Sequence, residues 1–147
     1  MIEPSREAWL NRIAQTGLTV SSTPAPDNVP GVQEALRSVV HWDVQPTVTI
    51  PLSHPEALKE VDRQWRAHAE RTGLFGDDGS FLLGISGPGV SRFGWAVVRW
   101  SSGVELAPRL SKPEEGLDFL TMSMDGKLVC AVTEEEYAYW IVVENLP

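Results

Sequence analysis

The chain is poor in cysteine, histidine and positive charge, and each shortage removes a class of chemistry. A single cysteine, Cys130, among 147 residues excludes an internal disulfide framework and any cysteine-rich zinc site. Its neighbours Leu128, Val129, Ala131 and Val132 mark it as a small core residue and not a reactive thiol. The three histidines, His41, His54 and His68, form no H-E-x-x-H and no pair four residues apart, so no metal site and no cofactor are expected. Lys and Arg number 12 against 20 Asp and Glu, a net charge of −8. That argues against a nucleic-acid binder, because neutralising phosphates takes a surplus of cations on at least one face. No apolar run approaches the ~20 residues that span a bilayer, and Met1-Ile2-Glu3-Pro4-Ser5-Arg6-Glu7 lacks a basic segment leading into an apolar one. No membrane partner and a cytoplasmic location are therefore expected.

Catalytic signatures are also missing. Gly84-Ile85-Ser86-Gly87-Pro88-Gly89 is one residue short of a G-x-S-x-G nucleophile turn and is followed by no G-K-S/T phosphate loop, so it reads as a hairpin loop. Asp77 and Asp78 stand between Gly76 and Gly79, where short carboxylates cap turn amides. The many acidic residues offer no pair that spacing singles out for glycosidase-type work. No catalytic residue is assigned, and an enzyme is the less favoured reading.

What is present has a clear order. Residues 5–17 form an amphipathic helix, with Ser5 as N-cap, Trp9 and Ile13 on its apolar stripe and Gly17 at its end. Residues 21–31 are an irregular Pro- and Ser-rich connection, and Val32, Leu36, Val39 and Val40 recur at helical spacing. Val48 and Ile50 alternate as in a strand before Pro51. A third helix follows, with a Ser53/Glu56 capping box, Pro55 in its first turn, Leu58, Val61, Trp65 and Ala69 on one face, and Gly73 past its end. From Phe75 onward the pattern is extended. Runs at 81–85, 94–100, 104–107, 119–124 and 127–132 are separated by turn residues, with Asp125-Gly126 suited to a type I′ hairpin and 112–116 to a loop with a helical turn. The last run, 137–143, follows Thr133-Glu134-Glu135-Glu136, which could cap a helix, but its aromatic and β-branched residues favour a strand. The expected fold is a single α+β domain over residues 1–147. A meandering antiparallel sheet of about five to six strands in the C-terminal half is packed on one face by two to three N-terminal helices.

Charge and tryptophan carry the functional reading. Residues 1–113 hold 12 acidic and 11 basic side chains, whereas 114–147 hold eight acidic residues against Lys127 alone. Three of the eight, Glu134, Glu135 and Glu136, lie beside Tyr137, Tyr139 and Trp140, which combines charge steering with aromatic anchors. Trp95 and Trp100 share a strand with opposite orientations, and Trp100, following Arg99, is a candidate interface anchor. His41-Trp42-Asp43 suggests a turn-edge or interface role. The candidate binding residues are therefore Glu134, Glu135, Glu136, Tyr137, Tyr139, Trp140 and Trp100, and the expected partner is a basic protein.

In size, acidity and lack of catalytic motifs the chain resembles the small acidic immunity proteins that neutralise bacterial toxins, often basic nucleases. The resemblance implies inhibition by surface docking. Nine Arg to three Lys, with abundant Ala, Gly and Pro, suits a bacterial source. Two other readings stand beside it. One is a small-molecule or enzymatic site between helices and sheet, lined by tryptophans with His41, Asp43, Arg92 and Arg99. The other is a structural subunit of a larger assembly.

Overall fold

A computed structural model describes residues 5–85, 93–111 and 117–146. In chain order the elements are α1 (Arg6–Ala14), β1 (Thr19–Val20), α2 (Val32–Val39), β2 (Val48–Pro51), α3 (Ala57–Thr72), β3 (Ser80–Ile85), β4 (Ala96–Arg99), α4 (Ala107–Leu110), β5 (Phe119–Met122), β6 (Leu128–Glu134) and β7 (Ala138–Asn145). The strands make one seven-stranded sheet of order β1-β4-β3-β5-β6-β7-β2, every pairing antiparallel. The fold is α+β, with five of the strands in the C-terminal half and both outer strands drawn from the N-terminal half. Pro51, which has no N–H to offer a further strand, ends the outer strand β2.

Strand periodicity sorts the core into two layers. Phe81, Leu83 and Ile85 pack with Trp9, Val61, Trp65, Leu106 and Leu110 on the side of α1, α3 and α4. Leu82, Leu120, Met122, Val129, Ala131 and Val142 pack with Val32, Ala35 and Val39 on the α2 side. The helices thus lie on both faces, not on one as expected, and burial on both faces explains why the central strands read as unbroken apolar runs. Trp95 joins the α2 layer and Trp100 packs against the other, so their opposite orientations hold. Cys130 is fully buried, and burial pushes its thiol up to about 12. A polar relay ties the thicker layer together: the Trp65 Nε1–H donates to Thr121 Oγ1 (3.1 Å), whose hydroxyl donates to the Cys130 carbonyl (2.5 Å).

Local signals hold where the partner is close in sequence. Ser5 caps α1 by accepting from the Ala8 N–H, Gly17 is left-handed at φ +97°, and Gly73 ends α3 at φ +81°. Three expectations are corrected, and one strand is added. The third helix begins at Ala57 without the Ser53/Glu56 box; its preceding turn is held instead by the Glu56 N–H donating to His54 Nδ1. The 119–132 hairpin is not type I′, since Asp125 has no positive φ. Gly126 alone is left-handed (φ +74°) and donates its N–H to the Ser123 carbonyl, as in longer loops built on a type I turn. Residues 104–107 are not a strand: the Asp62 carboxylate accepts the N–H groups of both Leu106 and Ala107 (3.0 and 2.9 Å), and α4 starts there. Thr19–Val20 forms an edge strand that two residues were too few to announce. The expected turn at 87–89 and the expected loop at 112–116 lie outside the described residues, as does Arg92.

Candidate docking surface at the β6–β7 end

The strand registers divide the molecule into two ends. Pairs Ile85↔Phe119, Phe119↔Val132 and Glu134↔Tyr139 place the end of β6 and the start of β7 at one end of the sheet. Ser80↔Arg99 and Leu82↔Met122 place the end of β4 at the other. The Glu135 N–H donates to the Ala138 carbonyl (2.8 Å), leaving Glu136 and Tyr137 as the tip of a tight hairpin. Two-residue hairpin loops favour φ > 0 and residues such as Asn-Gly, but neither tip residue has it. The tip presents a glutamate and a 77% exposed tyrosine where turn chemistry would prefer small residues.

The predicted binding residues do not all gather. Glu134, Glu135, Glu136 and Tyr137 are exposed together at this end. Trp140 is half-buried on the α2 side. Tyr139 turns inward to the α3 layer, where burial, then the charge of Glu134 and the hydrogen bond that the phenol donates to that carboxylate, raise its phenol. Trp100 does not join this surface. It sits at the opposite end of the sheet, packed on Trp65 and Phe75 (ring centroids 5.9 and 5.8 Å) with the Arg66 guanidinium 4.9 Å over its ring.

In its place the fold brings up the segment after α2. The Val44 N–H bonds the His41 carbonyl (3.1 Å) and His41 Nδ1 meets Asp43 Oδ1 at 2.5 Å. This closed turn holds Trp42 outward, 96% exposed. Trp42 lines a cleft of about 420 Å³ with Val40, Val44, Glu135 and Trp140. A second hollow of about 250 Å³ continues it between Leu36, Val40, Thr133, Glu134 and Glu135. The cleft exists because α2 is an eight-residue helix, about 12 Å long, and stops before the end of the sheet. Leu52 completes the patch, its N–H donating to the Tyr137 carbonyl (3.0 Å). Among the described residues the exposed large hydrophobics are Val40, Trp42, Leu52 and Tyr137, and all four lie around this hairpin. His41-Trp42-Asp43 was visible as an interface candidate in the sequence, but nothing there distinguishes an exposed tryptophan from a buried one.

Among the described residues no cation pairs with Glu134, Glu135 or Glu136. Asp118 accepts the Glu134 N–H. The polar set of the small-molecule reading is not assembled: Arg99 pairs with Asp78 (3.2 Å) at the far end. Among the described residues no group of three or more His, Cys, Asp or Glu could hold a metal ion, and no helix is long and apolar enough to cross a membrane. No family model, curated protein or solved structure matches the chain.

Proposed function

We propose that the chain is a protein-binding protein that docks a basic protein through the β6–β7 tip and the adjoining cleft. The observation that carries this reading is the coincidence, at one end of the molecule, of Glu134, Glu135 and Glu136, with which no cation pairs among the described residues, and the exposed Trp42 and Tyr137. Covering a tryptophan of that exposure would contribute on the order of 4–6 kcal/mol of apolar burial, while the carboxylates set association rate and partner choice. Local rules give way here, in the hairpin tip and in the exposed Trp42, as they do where a surface serves a partner. An inhibitor of a basic, nuclease-like bacterial toxin is the partner class that best suits an acidic docking face without catalytic groups, and its action would be occlusion and not chemistry. Calorimetry with a basic candidate partner in low salt tests the reading. Changing Glu134, Glu135 and Glu136 together to Lys is expected to abolish measurable binding, and an unchanged affinity would remove this surface.

A further inference from the structure

We propose that the cleft between Trp42 and Trp140 receives an arginine side chain of the partner, an inference that rests on the docking role above and adds the chemistry of its anchor. The cleft has three kinds of wall. Val40 and Val44 supply aliphatic surface, Trp42 and Trp140 supply indole faces, and Glu135 supplies a carboxylate with no cation on it among the described residues.

These walls select the occupant by elimination. An anion would meet Glu135 with no cation among the described lining residues to offset it, since His41 is already held by Asp43. A purely apolar group would strip water from Glu135 and leave it unpaired, which is costly. A side chain with an apolar stem and a cationic head satisfies both demands: the stem lies on the valines, the head reaches Glu135, and the indoles attract the cation through their ring faces. Arginine fits better than lysine, because its planar guanidinium stacks on indole and bonds a carboxylate through two parallel N–H groups. The protein already makes such a stack elsewhere, Arg66 over Trp100.

The test uses the intact chain and a blocked tripeptide with arginine at its centre, titrated to about 10 mM, a range that reads millimolar affinities, while the indole N–H resonances are followed by NMR. The Trp42 and Trp140 signals are expected to shift saturably and Trp100 to stay still. The same peptide with citrulline, the uncharged isostere, is expected to bind about tenfold more weakly or not at all. Glu135→Gln should reduce arginine to the citrulline level, Trp42→Ala should remove the response, and Glu56→Gln should leave it intact. Equal response to arginine and citrulline, a response that survives Glu135→Gln, or no shift at all would overturn the proposal. The docking role is read separately, from the charge-reversed chain and the whole partner. If that binding is lost while the peptide has no effect, the surface stands and the arginine site falls.

Discussion

The outer face of α3 and the β6–β7 end both carry carboxylates and tryptophan and behave in opposite ways. Each has a cleft of similar size, about 380 Å³ beside α3 and about 420 Å³ beside Trp42, and each cleft has a carboxylate and a tryptophan at its wall. On α3 the charges answer one another at helical spacing: Glu56 with Lys59 (3.7 Å), Glu60 with Arg63 (2.7 Å) and Arg66 with Glu70 (3.1 Å). Two hydrogen bonds from Arg63 and one from Gln64 hold the Glu60 carboxyl down to about 2, and Trp100 is stacked on Arg66 and Trp65. At the β6–β7 end no cation among the described residues pairs with the glutamates, and Trp42 is exposed over most of its surface. Acidity alone therefore marks nothing. A carboxylate whose partner is already present is part of the scaffold, and one left unpaired beside an exposed indole is open to a partner.

The comparison breaks most sharply under charge reversal. Glu134, Glu135 and Glu136 changed to Lys are expected to weaken a basic partner by about 100-fold or more in low salt, whereas the same change at Glu56, Glu60 and Glu70 should leave affinity within a factor of about two, because surface charges far from a contact act only through a screened field. Tryptophan removal sharpens it next. Trp42→Ala should lower affinity at least about tenfold while unfolding stability stays within about 0.5 kcal/mol. Trp100→Ala should do the reverse, leaving affinity alone and costing about 2–3 kcal/mol in denaturant melts as its stack on Trp65, Phe75 and Arg66 is lost.

Two smaller effects test the scaffold that carries the surface. Thr121→Val leaves the buried Trp65 N–H without an acceptor and is expected to cost about 1–3 kcal/mol. Asp62→Ala removes the cap on Leu106 and Ala107 and should cost about 1–2 kcal/mol, with Asp62→Asn, which keeps an accepting oxygen, costing less. Burial, opposed by those two backbone bonds, raises the Asp62 carboxyl above its ordinary value. Between the ordinary and the raised value the folded chain keeps a proton that the unfolded chain has released, so stability falls as pH rises through that window. Glu60 acts with the opposite sign: its contribution is full above its ordinary value of 4.5 and is lost as pH falls through about 2. Subtracting the pH profile of Asp62→Asn from that of the unaltered chain isolates the first slope, which should be negative with rising pH.

How much of this was legible in the sequence follows from where each partner sits. Ser5, Gly17 and Gly73 act within a helical turn of their targets and could be read directly. The strand at the C-terminal end was legible because Tyr139 to Val143 favour extended backbone over the helix that Thr133-Glu134-Glu135-Glu136 could have capped. The start of α4 was not, because the residue that caps it, Asp62, lies 45 positions from Ala107. Nor was the side of the sheet that α2 covers, since Val32, Ala35 and Val39 would suit either face. That the acidic run lies beside Tyr137 and Trp140 was legible from local composition. The distance of Trp100 from this surface was not legible, because an Arg-Trp pair reads alike at an interface and in a helix-sheet stack, and the exposure of Trp42 depends on where α2 ends over the sheet.

Amide-exchange footprinting of the chain with and without a basic candidate partner tests the central claim most directly. Protection is expected at residues 40–44, at Leu52 and across 134–140, with residues 59–70 of α3 exchanging as they do in the free chain. Protection confined to α3 and α4, with the β6–β7 tip unchanged, would contradict it.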